Sequence, residues 1–182
     1  MFASVEPTAA EVRRQLPGDD VVPDADVVMD RAFTVAAAPP AVWPWLVQLG
    51  KDRAGWYLPR NVERLLPARR RALRRIDPAF QGLRDGDVIP DYGGADETFE
   101  VVTIRPPDEL VYRSQRRRLG VSWAITLAET EVAGTLGTRV HLRLRLGPVR
   151  RIGLARVGGG LVDLVTIAGM AAGLRERLDE SG

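Results

Sequence analysis

A chain of 182 residues with 45% hydrophobic and 27% charged residues has the length and composition of one globular domain, which excludes a wholly disordered chain. It contains no cysteine and one histidine, which excludes a disulfide framework, a thiolate metal site, a cysteine nucleophile and the usual imidazole-rich zinc site. The net charge is only +2, and 25 of the 26 basic residues are arginine with Lys51 alone; a bias this uniform reflects coding composition and adds little to the case for a nucleic-acid partner.

Residues 1–26 read as a lead segment ahead of a single domain at 27–182, with a short helix expected from Thr8 to Leu16 and a stop at Pro17-Gly18. The N-terminus lacks the basic start and apolar run of a signal peptide, so a cytoplasmic location is the expectation. Next, Met29, Phe33 and Val35 alternate with Asp30, Ala32 and Thr34 at the period of two that marks a strand. Pro39 and Pro40 end it and suit a helix start, after which Val42, Trp45, Leu46 and Leu49 form one apolar stripe up to Gly50. Trp43 lies off that stripe, and Pro44 removes a backbone donor near the first turn, so the helix is expected to be short and held by packing of its tryptophans.

"RNVERLLPARRRALRR" is helix-like on either side of Pro67 and strongly basic, which predicts an exposed helix with an irregular middle. "TFEVVTIRPP" and "DELVYRSQ" form a hairpin candidate, and "GVSWAITLAE" places Val121, Trp123, Ile125 and Leu127 on one face. In "GTRVHLRLRLG" Val140, Leu142, Leu144 and Leu146 alternate with Arg139, His141, Arg143 and Arg145, the pattern of an antiparallel sheet with one wet face. After Gly158-Gly159-Gly160 the chain reads as a helix to about Leu178, apolar nearly all round until Gly173 and so expected to be buried on more than one side. Its apolar run, Leu161 to Leu174, falls short of the ~20 residues of a membrane span and carries Asp163. Strand, helices, antiparallel strands and a terminal helix together make an α+β arrangement.

The stretches "TVAAAPPAVWPWLVQLGKDRAGWY", "RIDPAFQGLRDGDVIP" and "FEVV" with "ELVY" resemble the START-like superfamily of polyketide cyclase, dehydrase and lipid-transport domains, also called SRPBCC, in a bacterial branch of undefined function. The resemblance covers roughly residues 8–175 and is most specific at Val42 to Tyr57 and Asp77 to Pro90. It implies a helix-grip fold, a curved antiparallel sheet wrapped around a long C-terminal helix with an apolar cavity between them. "LPRNVERLLPARRRAL" departs from the more acidic, aromatic helix expected after Tyr57.

Candidate ligand contacts are Arg53, Trp56 and Tyr57 at a pocket rim, Tyr112 and Trp123 on apolar strand faces, and Asp163, Ile167 and Met170 on the terminal helix. Core packing is the competing reading for the aromatics, Ile167 and Met170; for Asp163 it is a first-turn anion favoured by the helix dipole. Parity puts His141 among arginines and predicts a solvated side chain. "RRRALRR" and Arg116 to Arg118 read as solvated basic faces, since no aromatics interleave them for base stacking. The glycine triplet lacks the lysine and hydroxyl residue of a phosphate loop and reads as a hinge.

The favoured function is therefore binding of a small hydrophobic or amphipathic molecule, lipid or polyketide-like, without catalysis, cofactor or metal. An alternative is a cyclase or dehydratase in which Asp163, Tyr112 or Arg53 moves a proton. A third, weaker reading is arginine-mediated binding of nucleic acid or an anionic surface.

Overall fold

The fold is that of a computed structural model describing residues 4–149 and 152–181, the side chains of 154–156 excepted. In chain order come α1 (Ala9–Arg13), β1 (Val27–Val35), α2 (Pro39–Gln48), α3 (Arg60–Glu63), β2 (Val88–Pro90), β3 (Thr98–Arg105), β4 (Glu109–Arg116), β5 (Leu119–Val132) and β6 (Thr135–Gly147). A short α4 (Ile152–Leu154) and a π turn at Ala155–Gly159 lead into α5 (Gly160–Ser181). The six strands form one antiparallel sheet in the order β1-β6-β5-β4-β3-β2, and α5 lies along its inner face, the helix-grip arrangement.

The long β5–β6 hairpin sets the two faces. Its register pairs Val121 with Leu146, Trp123 with Leu144, Ile125 with Leu142 and Leu127 with Val140, so the apolar residues of both strands share the inner side. The turn is made by Ala133 and Gly134, both at positive φ, the geometry that matches the twist of a tight hairpin. On β1, Phe33 faces Val140 and Met29 faces Leu144, extending the same layer. α2 closes one end with Val42, Trp45 and Leu46 at most 2% exposed. It is short, with Pro44 inside, and Trp43 is buried as well although it lies off the stripe.

The outer face is only partly wet: β4 keeps Arg113 and Gln115 exposed there, but over β5 and β6 it is largely covered. Residues 4–26 run across it and bury Val5, Leu16 and Val22. Arg143 is 4% exposed and donates to the carbonyls of Glu11, Val12 and Arg14 and to Asp19 and Asp30. Arg139 holds Glu11, Arg145 reaches the carbonyls of Val22 and Pro23, and the Ser122 hydroxyl donates to Gly18 O. His141, expected in solvent, is 2% exposed with Nε2 2.8 Å from Asp30 Oδ1. Alternation fixed the face of these residues correctly, but it carries no information about a distant segment returning to cover that face.

Acid should loosen this cover. Arg139 holds the Glu11 carboxyl at about 2, well below its ordinary 4.5. For Asp30, burial pushes upward but hydrogen bonds from His141 and Arg143 outweigh it, so its pKa is lowered too. Both groups titrate lower folded than unfolded, so their contribution is present above about pH 4.5 and fades as pH falls toward about 2. We expect the protection factor of the Ala32 amide, bonded to Val5 O at 3.0 Å, to drop over that range ahead of the β5–β6 amides. Glu11→Gln should reproduce the drop at neutral pH; unchanged protection in both tests would exclude this account.

Two further expectations are revised. The basic segment after Tyr57 is not a long helix: it contains only α3 and a 3-10 turn at Ala68–Arg70, because its arginines bond to nearby groups. Arg71 donates to the carbonyls of Arg64 and Leu66, and Arg74 pairs with Glu63, Glu176 and Glu180. The C-terminal helical stretch Val157–Ser181 is, contrary to the shorter run read from sequence, long and apolar enough to cross a membrane by length and composition. Here it packs on the sheet, with burial concentrated from Ile167 onward, while Val157, Leu161, Val162 and Val165 are more than half exposed.

Candidate functional site

Between the first turns of α5 and the inner face of the sheet lies a cavity of about 740 Å³. Its floor is β5 and β6, through Val121, Trp123, Leu144 and Leu146. One side is β1 at Met29 with Gly158, Gly159, Val162, Asp163, Thr166 and Ile167. The other is the loop after α2, at Leu49 to Lys51 and Trp56, and the β2–β3 region at Ile89 to Gly93 and Phe99, with Arg116 and Leu119 beside it. The space is within the size range of small-molecule pockets in general, and its lining is mostly apolar with a few polar groups.

Aromatic rings organise one wall. Trp123 stacks on Tyr112 at 5.7 Å and on Trp56 at 6.1 Å, Tyr92 meets Trp56 edge-on at 6.1 Å, and Phe99 tilts against both Tyr112 and Trp123. Trp56 is fixed by its indole N–H, which donates to Thr166 O of α5 at 3.2 Å. That bond ties the loop after α2 to the helix across the mouth.

The sequence candidates divide into two groups. Trp56, Trp123, Asp163 and Ile167 line the cavity; Arg53, Tyr57, Tyr112 and Met170 lie outside its lining. Arg53 donates to the carbonyls of Val47 and Phe80 and stacks over the Phe80 ring, bracing its loop. The Tyr57 hydroxyl donates to Trp45 O at 2.8 Å and accepts from Gln48, while Arg177 lies over its ring. Burial raises the pKa of both Tyr57 and Tyr112 above that of a free phenol, so both stay protonated near neutral pH. Met170 is fully buried in the core behind Ile167.

Two polar clusters face the cavity. At one end Arg116 pairs with Asp91 and lies over Phe99, and Lys51 donates to the carbonyls of Gly94 and Ala95. At the other, Asp163 in the first turn of α5 meets Arg31 of β1, Oδ2 to Nε 2.9 Å. Arg31 also donates to Gly160 O and Asp30 O. Burial raises the Asp163 pKa, and Arg31 opposes the rise. Sequence reading passed over Arg31, yet its signal was present: it shares parity with Met29 and Phe33, and a cation on an apolar strand face requires an anion opposite. Among the described residues, no group of three or more histidine, cysteine or carboxylate side chains is gathered as a metal would need.

No family model matches the chain, and no curated protein matches it in sequence. Its likeness is to solved structures. Protein NE0264 from Nitrosomonas europaea superposes with a TM-score of 0.54 at 15% identity, covering 87% of this chain and 97% of that one. A Rhodobacter sphaeroides protein gives 0.52 at 15% identity, over 88% and 97% of the two chains. CalU16 from Micromonospora echinospora gives 0.45 at 15% identity, over 85% and 82%. At these identities the two superpositions above 0.5 show that this chain shares the overall fold of the Nitrosomonas and Rhodobacter proteins.

Proposed function

We propose that this protein is a START-like, SRPBCC-type binding domain that holds one small hydrophobic or amphipathic molecule, lipid or polyketide-like, between the sheet and α5, without catalysis and in the cytoplasm. The observation that carries the reading is the cavity of about 740 Å³ with its nearly continuous apolar lining. The sequence resemblance at Val42 to Tyr57 and Asp77 to Pro90 supports the same assignment. Burial of apolar ligand surface at about 25 cal/mol per Å² supplies the driving force.

Pyrene, an apolar ring system small enough for the space, tests the reading. It should bind one to one and report an apolar environment in its emission. Leu144→Trp, which fills the floor opposite Trp123, should weaken binding at least about tenfold while leaving the thermal midpoint within a few degrees. Equal binding by wild type and the filled variant would sink the proposal.

One observation favours a second reading, an enzyme of the cyclase or dehydratase kind: Asp163 is a cavity carboxyl with a raised pKa, a property of general acids and bases. Native mass spectrometry of the purified protein separates the two. A ligand retained unchanged by both wild type and Asp163→Asn supports binding alone; conversion by wild type and not by the variant supports the enzyme.

A further inference from the structure

The Asp163–Arg31 pair is close but poorly aligned. The 2.9 Å contact joins Arg31 Nε and Asp163 Oδ2, yet neither atom has a hydrogen bond of normal geometry, and both are shielded from water. The other oxygen, Oδ1, makes no hydrogen bond among the described residues, and the side chain keeps 16% of its surface open where it lines the cavity. Arg31 cannot turn to serve it, because its remaining nitrogens are committed to Asp30 O and Gly160 O at 2.9 Å each. An acceptor is thus held by an arginine on a wall that, Thr166 apart, is formed by Met29, Val162, Ile167 and two glycines. Leaving such an acceptor unpaired against an apolar ligand is costly, and a ligand that supplies a donor removes the cost.

Resting on the binding reading above, we infer that Asp163, positioned by Arg31, is the specificity-determining residue of the cavity and selects an apolar ring compound bearing a neutral hydroxyl group that donates to the carboxylate. A hydroxyl suits this place better than an ammonium, whose desolvation in an apolar cavity is far more costly. It also suits it better than a carboxylate head, which at neutral pH offers no proton to donate. The hydroxyl end lies beside the first turn of α5, and the ring body extends toward the wall that carries Trp56 and Trp123.

Three probes that differ in one substituent test this at neutral pH: pyrene, 1-hydroxypyrene and 1-methoxypyrene, the last having an oxygen without a proton. Wild type should hold 1-hydroxypyrene about tenfold more tightly than pyrene, the scale of one hydrogen bond to a charged group, and should hold 1-methoxypyrene like pyrene. In Asp163→Leu the preference, read as the ratio of the two affinities in that variant, should fall to within about twofold. The double variant Arg31→Met with Asp163→Leu removes both charges together and reads the same preference if the single variant unfolds. A hydroxyl preference that survives these variants, or a methoxy probe that binds as well as the hydroxyl one, overturns the inference. So does pyrene binding with no hydroxyl preference in wild type, which leaves the binding reading intact; failure of pyrene to bind at all overturns both.

Discussion

Replacing Glu63 with alanine is expected to destabilise the protein by about 3–5 kcal/mol, the penalty for stranding a buried charge. Glu63 is 4% exposed and accepts from Arg177, which is completely buried inside the fold. The same guanidinium lies over Tyr57 at 4.5 Å and donates to the carbonyls of Leu58, Leu73 and Gly173. Burial lowers the Arg177 pKa and Glu63 opposes that shift, so removing Glu63 leaves a cation held only by dipoles and a ring. Urea unfolding of Glu63→Ala measures the loss. The double variant Glu63→Leu with Arg177→Met should recover part of it, since removing both charges costs less than removing one. A loss below about 1 kcal/mol in the single variant would mean that the carbonyls and the ring satisfy Arg177 unaided.

Gly173→Ala is the second large effect, expected at about 1–3 kcal/mol and toward the upper end. A β-carbon on Gly173 would lie 2.6 to 2.7 Å from the backbone N, C and O of Leu58, and one on Gly169 would lie 2.9 Å from the Leu58 side chain. Backbone cannot yield by a rotamer change, so α5 would have to lift from the irregular segment at Leu58 and loosen the Arg177 bonds beside it. The thermal midpoint should fall, and the effect should be less than additive with Glu63→Ala because both changes act on one contact. Gly160→Ala, where nothing lies within 4 Å of the added carbon, is the matched control and should be nearly neutral.

Strand parity made the inner layer legible: Val121, Trp123, Ile125 and Leu127 against Val140, Leu142 and Leu144 could be read residue by residue, because the period of two is imposed by the backbone. The α2 stripe was legible for the analogous helical reason. What did not follow were contacts between segments far apart in the chain. His141 and Arg143 were assigned to the correct face and to the wrong environment, since the cover comes from more than 100 residues upstream. The cavity wall was half legible. Trp56, Trp123, Asp163 and Ile167 stand on it, whereas from the same loop sequence Tyr57 turns into the core onto Trp45 O and Arg53 turns onto the carbonyls of Val47 and Phe80.

The terminal helix is held unevenly along its length. From Gly169 onward it is locked by the Leu58 crossing, by Arg175 on Thr34 O and by Arg177. Before Ile167, the hydrogen bonds and ion pairs among the described residues are the Arg31 contacts to Asp163 and Gly160 and the Trp56 bond to Thr166. α5 is in mechanical terms a cantilever, clamped at its C-terminal end and lightly propped at the other, and the cavity lies under the propped end. Flexing that end changes the volume of the cavity without disturbing the clamp, so the capacity of the cavity and the stability of the fold are variables that substitution can tune separately.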